Sequence, residues 1–182
     1  LLSFSEAMAE TETYAIDQNH ANITWHANHF DFSSPSGKFA KVKGELKLDE
    51  KNPENSEVNV TIDAISIVTG IEKFDQHLKG KDFFNTDKFP SIEFKSDKVD
   101  VVGKNIAKLY GTLSMLGISK SVILDVKLNK VGDHPFSPVI GKTVGFSANT
   151  IIKRSEFDMK YALPGVSDDV RIDIEIEANL KK

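Results

Sequence analysis

Apolar and polar side chains alternate with a period of two along most of this chain, the spacing of β-strands that are dry on one face and wet on the other. Ile23, Trp25 and Ala27 alternate with Thr24, His26 and Asn28; Val42, Leu46 and Leu48 alternate with Lys41, Lys43, Glu45 and Lys47, with Gly44 on the apolar side. Val58, Val60, Ile62 and Ala64 continue the pattern. Ile65 and Ile67 then fall on the opposite parity, which predicts a bulge or bend at Ala64 and Ile65. Further strands are predicted over 92–101, 107–115, 122–128, 143–151 and 170–178, the last alternating Ile172, Ile174 and Ile176 with Asp173, Glu175 and Glu177. Turn signals separate them: Lys51-Asn52-Pro53-Glu54-Asn55, Gly103-Lys104-Asn105, Gly117-Ile118-Ser119, and the Gly132 to Gly141 loop with Pro135 and Pro138.

One segment breaks this rhythm. From Lys73 to Ser96 the chain gathers Phe74, Phe83, Phe84, Phe89 and Phe94. Within residues 70–80, Ile71, Phe74 and Leu78 lie at i, i+3 and i+7, opposite Glu72, Lys73, Asp75, Gln76 and Lys79, the stripe of a short amphipathic helix. Thr69 is the expected cap at its start and Gly80 its expected end. A helix inserted among strands is suited to plugging one end of a barrel or covering a cavity. The expected fold is therefore all-β, an antiparallel barrel of about eight strands with a short helix inserted at about 70–80, because closure removes exposed edges. A β-sandwich is the competing architecture.

Composition narrows the partners. A chain of 182 residues with 40% hydrophobic content holds one large core, so a single domain is expected over 10–182. A formal charge of −4 and the lack of a polybasic run argue against nucleic acid. The absence of cysteine removes disulfides, thiolate nucleophiles and Cys-ligated zinc. No apolar run after the N-terminus approaches the roughly 20 residues of a membrane-spanning helix, so the protein is not expected to be membrane-embedded. Near the start, Ala7-Met8-Ala9 followed by Glu10, Thr11 and Glu12 resembles a signal-peptide cleavage site, so residues 1–9 read as a residual signal tail.

Candidate chemistry is sparse. There is no G-x-S-x-G turn, and the serines lack a histidine in suitable context. His26 and His29 point to opposite faces of a strand, and with His20 they form no metal set, so no metal is expected. The glycines are scattered, which leaves no phosphate-binding loop and no nucleotide cofactor. Asp75 and His77, two residues apart on a helix, do not face each other; one or both are expected to bond nearby backbone and fix the helix across the barrel mouth. The inward face assigned to Trp25, Ile62, Phe94, Leu113, Met115, Leu124, Val126, Phe146 and Ile174 is apolar throughout. Such a lining is either packed solid or occupied by an apolar ligand, and patterning does not decide between them.

A set of motifs spans residues 14–178: Tyr14-Ala15-Ile16-Asp17 with His20; His29; Gly37-Lys38-Phe39 leading to Gly44; and Ile65-Ser66-Ile67 with Thr69. It continues with Asp75, His77-Leu78, Asp82-Phe83-Phe84, Phe89-Pro90 and Phe94, then Gly111-Thr112-Leu113, Gly117-Ile118-Ser119-Lys120 with Val122, Gly145-Phe146 and Phe157. On these residues the chain resembles the YceI-like family of polyisoprenoid-binding proteins. The resemblance implies a lipocalin-like antiparallel barrel around an apolar tunnel. It implies non-catalytic binding, storage or transport of a long-chain polyisoprenoid of the quinone-precursor type, or a related amphiphilic lipid, with no other cofactor. It also implies a periplasmic location and a homodimer. With the inward residues, Phe39, Phe74, His77, Leu78, Phe83, Phe84 and Phe89 are then expected at the ligand. Three positions depart from the family pattern: Phe74 stands where a basic residue is usual, Leu116 where a polar residue often precedes the glycine, and Ser121 where proline is common. Two other functions compete. An enzyme would draw on Asp75, His77 and Arg154 at the barrel mouth, and a protein-binding module would have a filled barrel and an apolar patch at Phe136 and Pro138.

Overall fold

The computed structural model describes residues 11–182 and turns each alternating stretch into a strand; the Ala7-Met8-Ala9 segment lies outside the described residues. In chain order the strands are β1 (Glu12–His29), β2 (Ser36–Phe39), β3 (Val42–Leu48), β4 (Glu57–Asp63), β5 (Ile67–Val68), β6 (Ser91–Gly103), β7 (Ile106–Met115), β8 (Ile118–Asp133), β9 (Lys142–Lys153) and β10 (Val166–Leu180). The one α-helix among the described residues, α1, spans Glu72–Lys79. Hydrogen-bonded neighbours run β1, β3, β4, β6, β7, β8, β9, β10, and β10 pairs back onto β1 from Tyr14↔Leu180 to His29↔Val166. These strands close an antiparallel barrel and leave no free edge, so the sandwich alternative is set aside. The short strands β2 and β5 are additions: β2 continues the line of β3 along the second half of β1, and β5 pairs with β2.

Local chemistry explains the irregularities. In β1 the register against β10 shifts between Ile16 and Ala21, and the extra residues are tied together by the Asp17 carboxylate, which accepts the Asn19 N–H at 3.0 Å and lies 2.8 Å from His20 Nδ1. The parity change after Ala64 is a single 3₁₀ turn, Ala64–Ser66, in which Asp63 accepts the Ile65 N–H at 3.1 Å. Ile65 is thereby thrown outward while Ile67 becomes fully buried.

Both ends of α1 differ from expectation. Thr69 is not its cap; Ile71 occupies that position, and Thr69 acts through Asp75 instead. The Asp75 carboxylate reaches back from inside the helix to accept the Thr69 N–H at 2.7 Å and its hydroxyl at 2.6 Å. Gly80 does end the helix, but in extended backbone with φ −73° and ψ 178°, its N–H bonded to His77 O at 3.0 Å. It therefore needs no left-handed conformation.

Buried side chains form two clusters. One, around Trp25, Phe39, Ile62, Ile67, Leu78 and Met115, lies at the helix end of the barrel. The other, around Tyr14, Leu46, Leu48, Val144 and Ala178, lies at the opposite end. The outer face carries Lys43, Glu45 and Lys47 on β3 and Arg171, Asp173 and Glu175 on β10. That is the reverse of a membrane-spanning barrel, whose outward band is apolar. Among the described residues no helix is long and apolar enough to cross a membrane.

Candidate ligand tunnel

Alternation along the strands decides what faces inward, and the inward side chains do not fill the space they enclose. On β8, Val122, Leu124, Val126 and Leu128 point in while Ile123, Asp125 and Lys127 point out; on β10, Ile172, Ile174 and Ile176 point in. These inward residues are only partly buried, although the barrel wall separates them from bulk water. A packed core would bury them almost completely. They border instead a cavity of about 910 Å³ that runs the length of the barrel, from His29, Phe30 and Tyr161 at the helix end to Pro53, Gly103 and Ile106 at the other. The filled-barrel alternative is thereby removed.

The predicted residues fall into place by element. Trp25 from β1, Phe39 from β2, Ile62 from β4, Phe94 from β6, Leu113 and Met115 from β7, Leu124 and Val126 from β8, Phe146 from β9 and Ile174 from β10 all line the cavity. Phe74, His77 and Leu78 from α1, with Phe83 and Phe84 just after it, close the helix end. Phe89 does not line it: the residue has the parity of Ser91 and Glu93, on the outer face of β6, and its ring lies against Gly117 in the β7–β8 turn. Other lining residues, among them Val60, Leu109 and Ile172, share the parity already read from the sequence, whereas Ile16 precedes the register shift in β1 and has the opposite parity to Trp25. Met159 and Tyr161 come from the loop before β10, where no periodicity marks them.

Aromatic contacts organise the helix end. Trp25 meets Phe74 edge to face at 6.2 Å, and Phe39 meets Phe84 at 5.5 Å. Trp25 also lies over its cross-strand partner Gly37, where a Cβ would come within 2.6 Å of the indole Cζ2, so only glycine fits beneath the ring. The indole Nε1 of Trp25 is, among the described residues, the one buried side-chain polar atom without a hydrogen-bond partner. An orphaned buried donor costs about 1–3 kcal/mol.

The ionisable candidates have partners other than each other. Asp75 is bonded to Thr69, whereas His77 Nε2 lies 3.1 Å from Asp82 and its ring packs on Phe83 and Tyr161 at 5.0 and 5.2 Å. Arg154 is buried, and its guanidinium donates to the carbonyls of Ser167 at 2.8 Å, Val166 at 2.8 Å and Met159 at 3.0 Å. Burial lowers its pKa from the ordinary value, opposed by the charge of Asp168. Those donors pin the loop before β10 and leave Arg154 poorly placed for acid-base work.

At the opposite end the Tyr14 hydroxyl donates to Glu12 at 2.7 Å, and the Lys142 ammonium donates to Glu12 and, at 2.7 Å, to Glu50. The bond from Lys142, followed by that from Tyr14, holds the Glu12 carboxyl below its usual value. Burial, reinforced by the bond to Glu12, pushes the Tyr14 phenol up to about 12. Among the described residues no group of three or more His, Cys, Asp or Glu side chains is placed to hold a metal ion, and His26 turns outward to Asp173 at 3.2 Å.

Known proteins share this architecture. The family model described as "YceI-like domain" matches residues 14–178. Protein YceI of Escherichia coli O17:K52:H18 is 36% identical over 183 residues, covering 100% of this chain and 94% of that protein. The crystal structure of BcnA from Burkholderia cenocepacia superposes with a TM-score of 0.80 at 22% identity, over 89% of this chain and 98% of that one. A polyisoprenoid binding domain from Saccharophagus degradans superposes with a TM-score of 0.70 at 12% identity, over 92% and 98%. With its barrel, its helix-closed tunnel and a family match from the first buried tyrosine to the last barrel strand, the chain belongs to the YceI-like domain family.

Proposed function

We propose that the tunnel binds the hydrocarbon tail of a long-chain polyisoprenoid or related amphiphilic lipid, and that the protein stores or carries this lipid without transforming it. The observation that carries the reading is the cavity of about 910 Å³ bordered by apolar side chains that are left only partly buried. A volume of that size lies toward the upper end of ordinary ligand cavities. The description of the Saccharophagus degradans domain as polyisoprenoid binding supports the same reading. Each CH₂-sized group removed from water contributes about 0.8 kcal/mol, comparable to one net hydrogen bond of about 1 kcal/mol. A long tail therefore outweighs any single head-group contact, and selection acts on tail length. Phe74, where the family resemblance implies a basic residue, makes the helix-end mouth more apolar. The proposal includes the periplasmic location and the homodimer that the resemblance implies.

The reading is tested by organic extraction and mass spectrometry of purified variants. Phe146→Asp, toward the end of the wall remote from α1, and Phe84→Asp, at the helix end, each place a carboxylate where the tail would run; both are expected to abolish lipid retention, and His77→Ala to weaken it modestly. Unchanged lipid content in both aspartate variants would overturn the tunnel assignment. Circular dichroism of each variant separates loss of ligand from loss of fold.

A further inference from the structure

At the helix end of the barrel, apolar side chains turn outward around the tunnel mouth. Phe32 is 90% exposed, Phe30 51% and Tyr161 49%. Phe30 and Phe32 belong to the β1–β2 turn and Tyr161 to the loop before β10; the Phe30 N–H donates to Gly165 O at 2.6 Å and joins the two segments. Phe30 and Tyr161 also line the cavity, so rim and lining form one continuous apolar surface.

The turn is built, not loose. The Phe32 N–H donates to His29 O at 3.0 Å, the His29 N–H to Ser33 O at 2.9 Å and the Asp31 N–H to Asn28 Oδ1 at 2.9 Å. Phe30 and Asp31 both adopt left-handed backbone, with φ of 51° and 59°, which is unfavourable for a residue carrying a Cβ. The Phe30 ring lies on Gly165, where a Cβ would come within 2.1 Å of it. Strained backbone and a required glycine thus hold Phe32 out in water, at a cost that makes physical sense when something apolar covers it.

We infer that this rim docks on a lipid bilayer and that lipid passes between bilayer and tunnel across it. The passage rests on the lipid-binding reading above. A tail leaving a bilayer is exposed to water unless its path is apolar, and Phe30 and Tyr161, both half-exposed and both lining the cavity, provide such a path, with Phe32 two residues beyond Phe30 in the same turn. The charges beside the rim select the kind of bilayer. Lys160 pairs with Asp158 at 2.7 Å, His77 lies 3.1 Å from Asp82, and Asp31 sits between the two phenylalanines. With no basic excess the attraction is apolar insertion, so the surface is an electrically neutral one.

Flotation with phosphatidylcholine vesicles, combined with uptake of cis-parinaric acid from solution, tests the inference. Phe32 does not line the cavity, so Phe32→Ser is expected to lower vesicle partitioning by about tenfold while leaving uptake from solution unchanged. Transfer of the probe from vesicles should slow in proportion. Val102→Ser, at an exposed position of the β6–β7 hairpin at the other end of the barrel, is expected to change neither. Docking is overturned if the parent protein does not float, if Phe32→Ser floats equally well, or if Phe32→Ser converts a dimer to a monomer and so assigns the rim to a second copy. Failure of the parent protein to take up the probe from solution would instead overturn the tunnel reading, and with it the passage, while flotation still decides the docking.

Discussion

Tyr14, Glu12 and Lys142 give the barrel end remote from α1 a pH response whose sign follows from their contacts. The Glu12 carboxyl is held below its usual value by Lys142 and Tyr14, so its contribution to stability is present above the ordinary carboxylate range and is lost as pH falls through the lowered value. Tyr14 is the reverse. Its phenol is raised from 10.0 to about 12 by burial and by the bond to Glu12, so the folded state favours the protonated form, and stability falls as pH rises from about 10 to about 12. Lys142, raised by its bonds to Glu12 and Glu50, adds to the same alkaline loss. Urea unfolding midpoints measured against pH are expected to fall above about pH 10. Tyr14→Phe should cost about 1 kcal/mol at neutral pH and reduce the alkaline slope. An alkaline slope identical to that of the parent protein would contradict the assignment. At this scale, parity along a strand was enough to read Leu124 and Phe146 as inward-facing. It did not locate Tyr161, which reaches the mouth from a loop, and Phe89, expected at the ligand from the family resemblance, precedes Pro90 with outward parity.

α1 is short, and tertiary ties rather than intrinsic propensity hold it over the tunnel. Leu78 buries its inward face, and the Asp75 carboxylate anchors its first turn to Thr69. Asp75→Ala removes two hydrogen bonds, one from a backbone N–H, and is expected to destabilise the fold by about 1–3 kcal/mol. Hydrogen exchange of the α1 amides should accelerate more than that of β8 or β9, and bound lipid should dissociate faster. Equal protection of α1 in both proteins would contradict the anchoring role. The i, i+3, i+7 stripe revealed the helix, but its tie did not show in the spacing, because a carboxylate reaching back six residues is a matter of side-chain geometry. The short β2 and β5, of 4 and 2 residues, are below the length at which alternation is recognisable. β8 extends beyond its predicted span to pair Asp133 with Lys142, since a neighbouring strand supplies hydrogen-bond partners even where the sequence is polar.

For the whole molecule, closure was legible because about eight one-sided strands have no economical way to hide their edges except a barrel. Hollowness was not, because inward alternation is the same for a packed core and for an empty one; only the partial burial of residues such as Leu124, Phe146 and Ile174 distinguishes them. Barrel, helix plug and tunnel together describe a hollow container, in which the proposed lipid would be held by the length of its tail. The most direct measurement is native mass spectrometry of freshly purified protein, which reports ligand mass and subunit count together. The predicted spectrum shows each subunit carrying one additional molecule of lipid mass that disappears on organic extraction and is restored by incubation with a polyprenol. A spectrum of bare chain mass, unchanged by that incubation, would contradict lipid binding in the tunnel.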